Sequence, residues 1–281
     1  GLMHLVKHTG CMYLYSHEAQ FNDTRASIEL RAAQGVRMEV IDAPAVREME
    51  PALAPGYVKG LRFLDTTMLD SPHLYFQGLL QDFMARGGQL VQAQVDGWVR
   101  EGERLRVRGG GQTLATADRV VVAAGAWSRQ LPQVVTDRVR LDCERGYHVM
   151  FPGSGGLLNQ PVCYPEHGFY MTPLGEGLRA AGTVELGGLG HPVRPHRLEV
   201  IERKARRMLT GLGPSGSTWL GYRPSMPDSL PVIGASPSDS QVIYAFGHGH
   251  IGLTLGGLTG RLVAELVNGQ PTSLDLKAYR P

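Results

Sequence analysis

Residues Gln241 to Val267 read QVIYAFGHGHIGLTLGGLTGRLVAELV. An apolar run from Gln241 to Phe246 meets the glycine-spaced GHGHIG of Gly247 to Gly252, and an apolar-periodic stretch continues from Leu253 to Val267. That order predicts strand, tight turn and helix. The turn matches G-x-G-x-x-G, which in a dinucleotide site opens a βαβ unit of about 30 residues, with an acidic residue roughly 20 positions further on for the ribose. After Gly252 one helix and a short tail are expected, with no second parallel strand. The same spacing recurs at Gly211, Gly213 and Gly216 in a Pro- and Ser-containing loop, where it is only loop composition. The pattern alone therefore does not define a dinucleotide site. It predicts a helix start whose free N–H groups and positive dipole end face something electron-rich.

Composition bounds the function. A chain of 281 residues with 42% hydrophobic content buries a real core, as one large or two interleaved domains. Lys and Arg total 28 against 26 Asp and Glu, a formal charge of +2, so bulk charge argues for neither nucleic acid nor a membrane surface. Cys11, Cys143 and Cys163 have no C-x-x-C spacing, which fits a reduced cytosol and excludes a thiolate zinc cage. No apolar run approaches the roughly 18 residues needed to span a bilayer. The location expected is cytoplasmic, with the inner face of the membrane as a peripheral alternative.

Upstream, an amphipathic helix is predicted between Ser16 and Gly35, with Phe21 and Ile28 inward. A short helix follows the Asp42 cap to Met49 and ends at Pro51. The best-marked helix has Ser71 as N-cap, Pro72 in its first turn, the stripe Phe76, Leu79, Leu80, Phe83, and a stop at Gly87-Gly88. The period then changes to two, predicting a strand with Val91, Ala93 and Val95 on one face, then a hairpin on Trp98 to Val99 and Leu105 to Val107. In ADRVVVAAGAWS, Ala117 to Ser128, the apolar run reads as a parallel strand buried on both faces. Short strands with Gly/Pro turns from Leu141 to Leu186 predict an antiparallel sheet, one face of which could roof a pocket. A helix from Arg194 to Leu209 follows, its apolar stripe Leu198, Ile201, Ala205, Met208 inward and Arg203, Lys204, Arg206, Arg207 solvated.

Few residues are poised for chemistry. Arg223 precedes Pro224, which biases it toward extended backbone at a sheet end. A guanidinium fork there can hold a carboxylate bidentately, or form a structural ion pair with Asp228 or another acid; the two readings weigh equally. His248 and His250 lack a third ligand at metal spacing, so no metal is expected. Tyr147 and Tyr170 are by default half-buried aromatics, and His148 and His167 satisfied structural imidazoles. There is no G-x-S-x-G elbow, Walker motif or H-E-x-x-H.

Taken together, VVVAAGAWS (Val120 to Ser128), LRAAGTVEL (Leu178 to Leu186), GYRPSMPDSLPVIG (Gly221 to Gly234) and YAFGHGHIGLTLGGLTGRLVAEL (Tyr244 to Leu266) resemble the flavin-dependent D-amino-acid dehydrogenase/glycine oxidase family, the DAO superfamily. The resemblance spans essentially the whole chain, and the last two blocks are its specific part. It implies a mixed α/β (α+β) fold, in which an FAD-binding domain of the glutathione-reductase type is interleaved with a substrate domain built on an antiparallel sheet. Residues 1–70 and 137–219 would form the substrate domain, and 71–136 and 220–281 the FAD-binding domain. FAD is the implied cofactor. Gly249, His250, Ile251, Gly252, Leu253 and Thr254 would lie at the flavin ring, the helix start facing the pyrimidine carbonyl. Val95 would clasp the adenine through its backbone, Ala124 and Gly125 would border the ADP half, and Trp127 joins this cofactor-binding set. Arg223 matches the carboxylate-binding arginine, Tyr170 an active-site tyrosine, and Tyr147 and His148 the strand entering the pocket.

The implied reaction is hydride transfer from the α-carbon of a D-amino acid or related amine to flavin, yielding a 2-oxo acid and ammonia. The acceptor of the electrons stays open among oxygen, a quinone and a partner protein. Gly1 resembles an internal position, so the first Rossmann unit of the family is expected upstream of it. The 281 residues alone are then expected to hold FAD weakly and to aggregate through exposed edges. A non-catalytic subunit completed by a partner is the alternative.

Overall fold

The computed structural model describes residues 1–281. The chain divides into two compact units, the first made of Gly1–Gln89, Gly146–Val184 and Val193–Leu220, the second of Leu90–Arg145, Glu185–Pro192 and Gly221–Pro281. The boundaries fall within the strands Asp142–Pro152, Gly177–Leu186 and Thr218–Ser225. The helix Pro72–Ala85 lies in the first unit.

The first unit is built on a sheet that runs from Asp142–Pro152 through Gly177–Leu186, Phe169–Leu174, Val162–Tyr164, Cys11–Tyr15 and Lys59–Phe63 to Met38–Asp42. The expected antiparallel pairing holds for Phe169–Leu174 with both its neighbours, but Val162–Tyr164 pairs parallel with Cys11–Tyr15. Strict alternation sorts the side chains. Met12, Leu14, Tyr164, Phe169, Met171, Leu178 and Ala180 enter one core with Ile201, Ala205 and Met208 of the helix Pro195–Met208. Arg203, Arg206 and Arg207 of that helix are exposed, as its amphipathic pattern requires.

Local signals set the ends of several helices. The Asp42 carboxylate accepts from Ala45 N at 3.0 Å and starts the helix Ala43–Met49. Ser71 Oγ caps Pro72–Ala85 by accepting from Leu74 N at 3.3 Å. The predicted helix after Ser16 is instead two, Glu18–Asp23 and Arg25–Ala33. They break at Thr24, whose hydroxyl donates to Phe21 O at 2.7 Å and competes with the helical ladder.

The stripe of Pro72–Ala85 does not face inward. Phe76, Leu79, Leu80 and Phe83 are all exposed, Phe76 to 58%. Val91 and Val95 are exposed too, and the strand expected through them is irregular chain. Alternation supplies a face for a strand but not the hydrogen-bonding neighbour that makes one.

In the second unit, Gly97–Glu101 and Arg104–Gly109 form the expected hairpin, and Gln112–Ala117 extends it to three strands. A second three-stranded sheet has Val242–Phe246 at its centre, antiparallel to Val232–Ala235 and parallel to Val120–Val122. Val120–Val122 is therefore an edge strand, and Val121 is exposed rather than buried on both faces. Trp98, Leu105, Leu131, Val232, Val242 and Phe246 pack between these layers. The fully buried Arg145 guanidinium lies 3.5 Å from the Glu185 carboxylate and donates to Pro192 O at 2.8 Å, tying Glu185–Pro192 to this unit.

Candidate active site

Val242–Phe246 ends at Gly247, whose φ of +87° is left-handed and whose absent Cβ would lie 2.8 Å from Met226 Cγ. Glycine is required there on both counts. Gly249, at φ +53°, opens a 3-10 turn, Gly249–Ile251, that runs into the helix Gly252–Val267. His248 anchors this turn: its Nε2 lies 2.9 Å from Thr259 Oγ1 on the helix, and burial pushes its pKa down.

No side chain caps the helix at Ile251, so its first-turn N–H groups remain available. Ile251, Leu253 and Thr254 are exposed at this end, and a Cβ at Gly256, Gly257 or Gly260 would meet nothing within 4 Å. A helix start with an open glycine face can receive an electron-rich group. Gly125, at φ +56°, turns the chain after Val120–Val122, and Ala124 sits at the start of that turn. The Trp127 ring there meets Tyr222 at 5.3 Å between centroids, and the buried Ser128 Oγ has no partner. Val95 lies in the irregular segment and is exposed.

Arg223 and Ser225 alternate on the strand Thr218–Ser225, so their side chains share one face. Arg223 Nη1 and Ser225 Oγ are both buried without a hydrogen-bond partner. Ser225 bridges to His248 through the backbone, and its hydroxyl would lie 3.7 Å from a Cβ at Gly249. Asp228 accepts from Leu230 N and does not pair with Arg223. Burial lowers the Arg223 pKa, opposed by the charges of Glu144 and Cys143. Glu144, on the adjoining strand, is held by the His250 imidazole, Nε2 to Oε2 at 3.0 Å. Sequence reasoning missed Ser225 and Glu144. Only the partner-free state of Ser225 and the pairing of Glu144 draw attention to them, and neither leaves a motif.

The first unit carries a separate set. Phe169 and Met171 are core residues, so Tyr170 between them faces the other side of the sheet, as do Cys163, Tyr13 and Arg179 by the same alternation. The Tyr13 and Tyr170 hydroxyls are 2.8 Å apart. His148 lies on this side too, stacked on Trp219 at 6.4 Å and 13°. Burial, then the Arg179 charge, pushes its pKa down to about 4, which keeps the ring neutral. Tyr147 points the opposite way, is 1% exposed in the core, and lies under the Arg197 guanidinium at 6.0 Å. Thr183, at φ +62°, is a strained β-branched residue whose buried hydroxyl has no partner.

A parallel strand, a glycine turn and an uncapped helix lie in one unit with an arginine nitrogen that has no hydrogen-bond partner. The chain belongs to the DAO family of FAD-dependent oxidoreductases, whose family profile matches residues 3–266. Over 286 residues it is 34% identical to a D-amino-acid oxidase of Bradyrhizobium diazoefficiens, covering 100% of this chain and 68% of that protein. A D-amino acid dehydrogenase of the same organism is 27% identical over 290 residues, covering 99% of this chain and 68% of the relative. The fold matches the crystal structure of glycine oxidase from Geobacillus kaustophilus with a TM-score of 0.89 at 24% identity, over 98% of this chain and 75% of that one. The chain is thus similar over its whole length to about two thirds of these curated relatives. No helix is long and apolar enough to cross a membrane.

Proposed function

We propose that the protein oxidises a D-amino acid or a related amine to the imine, which water converts to a 2-oxo acid and ammonia. The observation that carries this reading is Arg223 Nη1, half of a guanidinium fork left buried and unpaired. A buried donor without a partner is unfavourable by about 1–3 kcal/mol, and a substrate carboxylate would supply the missing acceptor. The family's FAD-dependence and the names of the relatives support the same substrate class.

FAD, when bound, would supply a two-electron acceptor for hydride from the substrate Cα–H bond. The residues that would hold it are the uncapped start of Gly252–Val267, with Gly249, His250, Ile251, Leu253 and Thr254, and the turn of Ala124, Gly125 and Trp127. The backbone of Val95 would meet its adenine. On this reading the second unit is the FAD-binding domain and the first the substrate domain. Arg223 fixes the carboxylate, so that the α-hydrogen keeps one orientation. Ser225 adds a hydroxyl beside it. Tyr170 and the neutral His148 offer a hydroxyl and an uncharged ring on the solvent-side face of the sheet. Tyr147 supports that sheet from the core. The buried free thiols of Cys11, Cys143 and Cys163 support a reducing, cytoplasmic location.

Arg223→Lys in the FAD-loaded protein tests the assignment. The expected result is a KM for D-amino acids raised by about 10-fold or more, the loss of one charged hydrogen bond, with flavin content unchanged. An unchanged KM overturns it. A second reading, a subunit completed by a partner, draws on the exposed stripe of Phe76, Leu79 and Phe83 and on exposed Val91 and Val121. Retention of stoichiometric flavin by the purified chain through gel filtration would set that reading aside.

A further inference from the structure

The second unit holds opposite charges apart beside the helix start. Arg223 makes no ion pair, yet its guanidinium feels the Glu144 charge from the neighbouring strand. Glu144 in turn uses one oxygen, Oε2, for His250, and its Oε1 has no partner. A structural pair would have closed the gap and neutralised both groups. Here each keeps an unused atom, the guanidinium Nη1 and the carboxylate Oε1.

We propose that Glu144 binds the substrate's ammonium group and takes its proton, and that His250 is the positioning residue that holds Glu144 for this step. The proposal rests on the reading of Arg223 as the carboxylate site and extends it to the other end of the zwitterion. An α-amino acid carries an ammonium at neutral pH, and that nitrogen has no lone pair with which to form the C=N bond. One N–H bond breaks, its electron pair stays on nitrogen, and the proton goes to Oε1 of ionised Glu144. The side chain is 28% exposed, so the carboxyl group can return its proton to water before the next turnover.

His250 Nε2–H donates to Oε2 and fixes the carboxylate plane with Oε1 free. The ring is 56% exposed, and no other side chain competes for that nitrogen. The remaining charges near Glu144 are engaged elsewhere: Asp142 with Arg129, and Arg145 with Glu185. His248 is turned to Thr259.

The test uses the FAD-loaded protein with D-alanine and with propionate, which has the carboxylate but no amine. By calorimetry at pH 7 with the flavin kept reduced, so that D-alanine binds without being oxidised, Glu144→Gln should weaken D-alanine by about 10-fold or more, the equivalent of one charged hydrogen bond, and leave propionate unchanged. In kcat/KM against pH, the same variant should lose about 10²-fold at neutral pH, as for removal of a general base. It should recover at alkaline pH, where the amine arrives neutral. Glu144→Asp should keep the neutral-pH limb at a reduced rate. His250→Gln, which keeps an N–H donor, should retain more of that limb than His250→Leu.

A Glu144→Gln profile parallel to the wild type at every pH overturns the proposal. So does a wild-type protein that binds propionate but not D-alanine, since nothing would then be meeting the ammonium. If Arg223→Lys weakens neither ligand, it is the carboxylate reading that fails.

Discussion

The hydroxyls of Tyr13 and Tyr170 lie 2.8 Å apart on the face of the sheet that turns away from the core. They come from strands that are not adjacent: Val162–Tyr164 lies between them and places Cys163 opposite both. The Arg31 guanidinium stands 6.0 Å from the Tyr13 ring and 5.4 Å from Phe63, closing one side. Burial, then hydrogen bonds from Cys163 and Tyr13, raise the Tyr170 pKa. Tyr13→Phe should therefore lower the Tyr170 pKa in part, with burial still holding it above the ordinary range, read as phenolate absorbance against a Tyr170→Phe control. The loss of stability should stay within about 1.5 kcal/mol, the net value of one hydrogen bond. An unchanged phenolate titration would mean that the pair does not persist in solution.

His148 makes stability depend on pH in a defined window. Its folded pKa, about 4, lies below the unfolded value near 6.5, so between these the unfolded chain binds the extra proton. Stability from this group is complete above about pH 6.5 and is lost as pH falls toward 4. With its partial exposure discounted, the effect amounts to about 1–2 kcal/mol. Urea denaturation at pH 4.5 and 7.5 should show a smaller difference for His148→Asn than for the wild type. An equal difference removes the assignment.

Asp137 behaves with the opposite sign. Burial raises its pKa, but the hydroxyls of Ser236, Ser238 and Tyr244 donate to it and leave a net lowering. Tyr244 reaches Asp137 Oδ2 at 2.7 Å from a position that is itself fully buried. Stability from this carboxylate is present above the ordinary aspartate range and lost as pH falls through the lowered folded pKa. Asp137→Asn should destabilise at pH 7 by about 1 kcal/mol. That difference should shrink as pH falls below the ordinary aspartate range, and a difference independent of pH would contradict the ionic reading.

The exposed stripe on Pro72–Ala85 separates two outcomes. Phe76→Gln with Leu79→Gln should change unfolding free energy by no more than about 0.5 kcal/mol for each site, as at other exposed positions. Removal of a packed Phe and Leu would each cost about 2–5 kcal/mol. Denaturant midpoints decide between them, and light scattering should fall in the double variant. A loss above about 2 kcal/mol would show that the stripe is covered in solution.

These residues also show where sequence reading succeeds. Ser71, Asp42 and Gly247 act through groups within a few residues of themselves, and each was recognisable from local chemistry. The helix stripe and the alternation of Val91 and Val95 were equally clear as patterns. Burial, however, depends on what lies opposite, and a pattern carries no information about its partner. The same limit hid Glu144, which is ordinary in sequence and becomes notable only 3.0 Å from His250, more than a hundred residues away.

The sequence by itself determined the strand, turn and helix of Gln241 to Val267, the DAO resemblance and Arg223 as a carboxylate candidate, because backbone propensity, glycine stereochemistry and motif spacing are properties of neighbouring residues. The tertiary structure alone decided that Arg223 has no ion pair with Asp228, that Tyr170 and His148 share a face while Tyr147 turns into the core, and that Val120–Val122 is an edge strand. Those outcomes depend on which strands pair and in what register. Register is settled by long-range burial, and one residue of slip would exchange the two faces.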